Sequence, residues 1–193
     1  KAKEWAKVNV ESLLPYAERG TLIVGTEPSC LLTLKEEYPE LLRSPESRSV
    51  ASQALMLDEL IMQIAEQEPD LINETLDFSR DQSIQVHGHC HQKAVIGTDS
   101  TLGALSLAGY KPELIDSACC GMAGTFGFEK EHYETSKAMG DLKLFPAIEA
   151  PDKSEWPIAI SGISCRQQIG HFTSKTPKHW AEYIADSLKI IDP

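Results

Sequence analysis

The residues best suited to chemistry are the cysteines, of which the chain has five. Cys119 and Cys120 are adjacent and precede Gly121, while Cys90 and Cys165 stand on either side of the pair. Adjacent cysteines are poor disulfide partners, because a disulfide requires two Cα atoms about 5.5 Å apart. Both thiols can instead bind a metal ion or an iron–sulfur cluster from one loop. The pair therefore predicts a metal or redox site.

Four short apolar runs are predicted to be buried strands, and each is separated from the next by helix-length sequence. They cover residues 21–24, 83–86, 112–115 and 157–160. This order predicts an α/β fold in which parallel strands alternate with helices. Apolar stripes predict helices over residues 54–64 and 178–188, and a weaker stripe predicts a helix over residues 122–144.

Every cysteine follows closely behind a predicted strand. Cys30 follows the first run, Cys90 the second, the pair Cys119 and Cys120 the third, and Cys165 the fourth. In open parallel sheets, ligands bind just beyond the carboxyl ends of the strands. We therefore expect the fold to bring all five sulfur atoms to one edge of the sheet.

Composition excludes several classes of function. The 193 residues are 41% hydrophobic and 24% charged, which is typical of a globular protein, and the net charge of −11 argues against binding nucleic acid or an anionic membrane surface. No apolar run approaches the roughly 20 residues of a membrane span. An odd cysteine count suits reduced or metal-bound thiols in the cytoplasm. Because the chain begins with Lys1 and not with Met, we expect it to be a fragment.

Two segments of the chain are weakly alike. Residues 22–30 and 158–165 each run from a strand through a small-residue turn to Ser-Cys and then a helix. This internal repeat predicts that residues 1–45 are the end of one repeat and that residues 46–193 form a complete second one. The two parts are expected to pack together as one α/β unit.

The motifs around these cysteines resemble the CCG (cysteine-rich) domain. The resembling stretches are HCHQKA at residues 89–94, DSACCGMAGTFGFEKEHY at 116–133, GISCRQQI at 162–169 and EPSCLLTLKEEY at 27–38. That domain occurs in heterodisulfide reductase B subunits and in iron–sulfur components of glycolate, lactate and anaerobic glycerol-3-phosphate dehydrogenases. The match is closest to the carboxyl-terminal part of fusion proteins in which an FAD-linked oxidase precedes iron–sulfur modules.

The resemblance implies a 4Fe–4S-type cluster that relays electrons from the FAD of a 2-hydroxy-acid dehydrogenase to a quinone or another electron carrier. Cys90, Cys119, Cys120 and Cys165 would be its ligands, and Cys30 would belong to the first repeat's set. Substrate oxidation and FAD binding are expected in another domain or subunit, in the cytoplasm or peripheral to the inner membrane. The chain departs from the reductase-type motif at one position, where Gln168 stands in place of the last cysteine.

Other residues near the cysteines have expected supporting roles. Residues 120–124 are predicted to open a helix whose backbone N–H groups lower the thiol pKa values, and Gly121 and Gly124 would let backbone approach a cluster. Lys93 and Arg166 could offset its charge. The alternating histidines are candidates for hydrogen bonding or zinc ligation, with His89 and His91 favoured over His87.

Two other functions fit the same residues. Four thiolates, or three with a histidine, suit tetrahedral Zn²⁺ in a structural or interaction domain without redox activity. Alternatively, Cys119 or Cys120 could act as a catalytic nucleophile with His89 as its base, although no convincing nucleophile–base–orienter arrangement is visible in the sequence.

Overall fold

The computed structural model describes residues 1–189 and divides the chain into two compact units after Leu60. The assignment of residues 1–45 and 46–193 to two repeats stays a prediction. Each unit is described by itself below. Among the described residues, no helix combines the length and the apolar character needed to cross a membrane.

The first unit is mainly helical. Its helices are α1 (Ala2–Ala17), α2 (Pro28–Leu32), α3 (Tyr38–Leu42) and α4 (Pro45–Gln53), with a π-helical turn over Thr33–Glu37. Two short parallel strands, β1 (Ile23–Gly25) and β2 (Ala54–Met56), form a separate sheet. Val10, Ala17 and Val50 form its buried core.

The second unit is a four-stranded parallel sheet covered by helices. Its strands are β3 (Gln82–His87), β4 (Tyr110–Leu114), β5 (Ile158–Ile160) and β6 (Lys178–His179), in the order β4-β3-β5-β6. Its helices are α6 (Pro69–Thr75), α7 (Cys90–Val95), α8 (Asp99–Leu107), α9 (Tyr133–Asp141), α10 (Leu144–Ile148), α11 (Ile163–Phe172) and α12 (Trp180–Ala185). Helix α5 (Leu57–Gln67) begins in the first unit and ends in the second.

Strand β3 is central, and its register aligns the three strand ends that matter for the site. Val86 is paired with Leu114 of β4, and His87 is paired with Ile160 of β5. Val86 and Ile160 are buried, as expected for a parallel sheet that is covered on both faces. Because β3, β4 and β5 end side by side, the segments that follow them begin close together.

The predicted α/β fold with parallel strands is confirmed, and all four predicted strands are present within a few residues. Two short strands, β2 and β6, were not predicted because they occupy the first residues of two predicted helices. In the second of these regions helix α12 begins only at Trp180, because His179 caps it. His179 Nδ1 accepts a hydrogen bond from Ala181 N, and His179 N donates one to Glu182 Oε1.

The predicted helix over residues 122–144 is wrong for its first half. Helix α9 begins only at Tyr133, after a turn and two short 3₁₀ segments. Gly121, Ala123 and Gly124 have φ angles of 99°, 44° and 67°. Such left-handed conformations cannot be part of a right-handed α-helix.

The expectation that all five sulfur atoms meet at one sheet edge is also wrong. Strand β1, which precedes Cys30, pairs with β2 in the separate two-stranded sheet. The other four cysteines follow β3, β4 and β5, which are adjacent in the four-stranded sheet. Four of the five cysteines therefore follow strands that end at one edge of that sheet.

Candidate metal centre

The four cysteines of the second unit come from three adjacent strand ends. Cys90 is the first residue of α7, separated by two residues from the end of β3, and Cys165 is the third residue of α11, after β5. Cys119 and Cys120 lie in the loop that follows β4. Short connections hold all four close to the sheet, as expected for a ligand site at the carboxyl ends of parallel strands.

The sulfur atoms form one connected group. The thiols of Cys90 and Cys119, of Cys119 and Cys120, and of Cys120 and Cys165 lie close enough that each shifts the pKa of its neighbour. Cys120 and Cys165 are 3% and 1% exposed and belong to the apolar core, whereas Cys90 is exposed and Cys119 is half-buried. The group thus runs from the protein surface into the core.

The turn after the cysteine pair is not the helix start that the sequence predicted. Gly121 N donates a hydrogen bond to Cys119 Sγ at 3.3 Å, so a backbone N–H does reach a sulfur atom. Gly121 has φ +99°, and a Cβ atom added there would lie 2.1 Å from Ser136 O. Only glycine fits this position, because any side chain would collide with the backbone of α9.

A hydrogen-bond network of Gln168 and Ser136 supports this turn. Gln168 Nε2 donates to Ser136 O at 3.1 Å and to Ser136 Oγ at 2.9 Å, and Ser136 Oγ donates to Gly121 O at 2.8 Å. Both side chains are completely buried. The amide nitrogen of Gln168 is therefore engaged with Ser136, and this network was not predicted. The only signal for this network in the sequence was the polar residue Gln168, one helical turn after Cys165.

Lys93 also forms hydrogen bonds to the loop that carries the cysteine pair. Its Nζ donates to Ser117 O and, at 2.9 Å, to Ala118 O. Burial lowers the pKa of Lys93, and the neighbouring thiols oppose that shift, with Cys90 the first of them. Lys93 is thus held at the loop that carries the cysteine pair, and its role in offsetting cluster charge stays a prediction. Arg166 instead pairs with Glu182 at 3.4 Å.

The geometry reverses the expected order of the histidines. His87 is the one whose donor atom lies with those of Cys120 and Cys165, all within 4.8 Å of one another. His87 Nδ1 lies 2.9 Å from Ser117 Oγ. His89 instead caps α7, because its Nδ1 accepts a hydrogen bond from His91 N.

The pKa values of the four thiols are shifted in alternate directions along the group. Hydrogen bonds from Cys120 and then Cys90 lower the pKa of Cys119, and Cys120 and then the ring of His87 lower the pKa of Cys165 against the effect of burial. The bond to Cys119 is the main reason that the pKa values of Cys90 and Cys120 are raised. Without a cation, neighbouring sulfurs cannot all be thiolates, because like charges repel.

Cys30 lies in the first unit. It is exposed on α2, whose capping residue Glu27 accepts hydrogen bonds from Ser29 N and Ser29 Oγ. Its membership in a ligand set stays a prediction.

The second unit's donor set suits a thiolate-bound metal group. Sulfur lies about 2.3 Å from zinc, so two sulfurs on one tetrahedral ion are about 3.8 Å apart. The donor atoms of His87, Cys120 and Cys165 lie within 4.8 Å of one another, and Cys119 and Cys90 continue the group. Four cysteines also match the ligand number of an iron–sulfur cluster. The residues therefore fit either group.

Comparison with known proteins identifies relatives along nearly the whole chain, and these relatives are dehydrogenases or their subunits. The chain is 29% identical over 191 residues to a subunit of the anaerobic glycerol-3-phosphate dehydrogenase of Escherichia coli (strain K12), covering 97% of this chain and 46% of the relative. The D-2-hydroxyglutarate dehydrogenases of Pseudomonas putida and E. coli are each 26% identical, over 178 and 186 residues, which cover 91% and 95% of this chain.

The chain spans less than half the length of these relatives, and only 16% and 17% of the two D-2-hydroxyglutarate dehydrogenases. No protein-family model matches the chain, and no solved structure matches it significantly.

Proposed function

We propose that this chain is the iron–sulfur electron-transfer module of a flavin-linked 2-hydroxy-acid dehydrogenase of the glycolate, lactate or glycerol-3-phosphate type. The observation that carries the proposal is the connected group of four sulfur atoms at the ends of β3, β4 and β5. The relatives support the oxidoreductase context, because their names are those of dehydrogenases or dehydrogenase subunits.

In this proposal Cys90, Cys119, Cys120 and Cys165 hold the cluster, and the bound cluster supplies a one-electron carrier. The protein contributes the environment. The N–H of Gly121 donates toward sulfur and Lys93 adds positive charge, and both favour the reduced form. Burial of Cys120 and Cys165 keeps water from that side, while the exposed Cys90 leaves the other side open to an electron partner.

The proposed partners follow from this role. Electrons would come from an FAD-containing dehydrogenase domain or subunit and leave to a quinone or another carrier. A separate dehydrogenase subunit is consistent with the glycerol-3-phosphate dehydrogenase relative, which is itself named as one subunit of its enzyme. Residues 1–45 with Cys30 are proposed to complete a first cysteine-rich repeat.

A structural zinc site is the second candidate function. The short distances among the donor atoms of His87, Cys120 and Cys165 favour it, because they suit a single tetrahedral ion. Such a domain would carry no electrons and would contribute to folding or subunit contact.

Metal and sulfide analysis of the full protein, purified without oxygen, separates the two functions. We expect iron and acid-labile sulfide in near-equal amounts, together with broad visible charge-transfer absorption. Stoichiometric zinc without sulfide would contradict the proposal. The Cys120→Ser variant should lose iron and sulfide together, whereas Cys30→Ser, in the other unit, should retain the cluster bound by the four-cysteine group.

A further inference from the structure

His87 is placed where a rigid ligand would be. It is the last residue of the central strand β3, its side chain is 0% exposed, and its backbone is paired with Ile160 of β5. Sites built on strands are positioned more precisely than sites built on loops. The ring therefore has a fixed position beside the buried cysteines.

The two ring nitrogens of His87 have different surroundings. Nδ1 lies 2.9 Å from Ser117 Oγ, whereas Nε2 is buried and has no nitrogen or oxygen partner among residues 1–189. A buried polar atom without a partner is destabilising, because it has lost its hydrogen bonds to water. A histidine that binds metal through one nitrogen commonly has the other held by a hydrogen bond, which fixes the ring and its tautomer.

The ring of His87 and two sulfurs surround a common point. The donor atoms of His87, Cys120 and Cys165 all lie within 4.8 Å of one another, and all three residues are buried. Sulfur and imidazole nitrogen bind zinc at about 2.3 and 2.0–2.1 Å, so one ion can contact all three with small side-chain shifts.

We propose that His87 Nε2 is a direct ligand of the metal group held by Cys120 and Cys165, which makes the centre a mixed sulfur–nitrogen site. Ser117 is the positioning residue: its Oγ accepts a hydrogen bond from the Nδ1–H of His87, which leaves the Nε2 lone pair free for the metal. This inference deepens the proposed function, on which it depends only for the presence of a metal group. It adds a histidine to the cysteine ligands.

Cobalt(II) is a suitable probe because it replaces zinc in tetrahedral sites and shifts the resonances of ligand protons strongly. The full protein is prepared metal-free without oxygen and titrated with Co²⁺. In the NMR spectrum we expect a strongly shifted, exchangeable imidazole N–H resonance, which is the Nδ1 proton of a ligating His87. A histidine with a purely structural role would not give this resonance.

Three variants sharpen the assignment. Ser117→Ala, which keeps the imidazole, should weaken Co²⁺ binding about 10–100-fold, and His87→Ala should weaken it further and abolish the shifted resonance. The matched control is His171→Ala, because His171 Nε2 already lies 3.1 Å from the Tyr133 hydroxyl and has a partner there. That variant should bind Co²⁺ as the original protein does.

The outcomes are decisive in both directions. Absence of Co²⁺ binding, a cobalt site without the imidazole resonance, or loss of that resonance in His89→Ala but not in His87→Ala would each overturn the assignment. If Co²⁺ binds with His87 but iron and sulfide do not assemble, the proposed electron-transfer function fails while the ligand assignment stands. If iron and sulfide assemble but cobalt has sulfur ligands alone, the electron-transfer function stands and the assignment of His87 as a ligand fails.

Discussion

Gln168 holds Ser136 with two hydrogen bonds from a single amide nitrogen, at 3.1 Å to the carbonyl oxygen and 2.9 Å to the hydroxyl. Ser136 in turn donates to Gly121 O, directly after the cysteine pair. Helices α9 and α11 are thereby connected to the turn that presents Cys119 and Cys120. The network positions the sulfur atoms of Cys119 and Cys120, although none of its own atoms is a proposed ligand.

Replacing Gln168 by methionine, which has a similar shape, removes both hydrogen bonds. We expect the metal-free protein to lose about 1–2 kcal/mol of unfolding free energy, measured by urea denaturation. Metal affinity should fall about tenfold or more, because the turn loses its support. The control is Gln167→Met, since Gln167 is exposed on the same helix. Equal stability and affinity of the two variants would contradict this role.

The two glycines of the turn should respond differently to alanine. At Gly121 the added Cβ would lie 2.1 Å from Ser136 O, whereas at Gly124 it would meet nothing within 4 Å, although φ is +67°. Gly121→Ala should therefore cost more than about 3 kcal/mol, and Gly124→Ala only the strain of a left-handed residue, about 1–2 kcal/mol. Thermal unfolding of both variants checks this, and similar losses would contradict the clash.

The sequence was sufficient to predict the strands that end at the site, because short apolar runs bounded by turn residues are a strong local signal. It was also sufficient to associate Cys90, Cys119, Cys120 and Cys165 with those strand ends. Strands β2 and β6 could not be predicted, since two or three residues at the start of an apolar stripe carry no period of their own.

Tertiary contacts decided what local patterns could not. The turn over Gly121–Gly124 depends on the close approach of Ser136, which lies 15 residues away from Gly121 in sequence. The three histidines have equal spacing, so only the placement of Ser117 and the sulfurs distinguishes His87 from His89. The separate pairing of β1 with β2 likewise has no signature in either strand alone.

Lys93 should raise the reduction potential of a bound cluster, because its positive charge favours the additional electron. Lys93→Met should lower the potential by about 40 mV, which corresponds to about 1 kcal/mol for one electron. Potentiometric titration followed by EPR measures this. Lys93→Arg keeps the charge near the carbonyl oxygens of Ser117 and Ala118 and should stay close to the original value. An unchanged potential in Lys93→Met would exclude the electrostatic role.

Cys119 should be more reactive than Cys90 in the metal-free protein at pH 6. Its pKa is lowered by hydrogen bonds from Cys120 and Cys90, so Cys119 is a thiolate at a pH where an ordinary thiol, with a pKa of about 8.5, is protonated. The pKa of Cys90 is raised, chiefly by its bond to Cys119. Cys90 should therefore stay protonated at this pH despite its exposure.

Timed alkylation with iodoacetamide, followed by peptide mass spectrometry, compares the two sites. The Cys119 rate should change little between pH 5 and 8, and metal loading should protect both thiols. Faster alkylation of Cys90 than of Cys119 at pH 6 would contradict the lowered pKa of Cys119 and the raised pKa of Cys90.

The four cysteines of the second unit are proposed to hold a redox cluster. Its most direct test is EPR spectroscopy of the full protein, purified without oxygen and reduced with dithionite, alongside Cys120→Ser and Cys30→Ser. We predict a low-temperature iron–sulfur signal that disappears in Cys120→Ser and whose component from the four-cysteine site persists in Cys30→Ser. A full complement of zinc with no paramagnetic iron–sulfur signal in the original protein would contradict this role of the four cysteines.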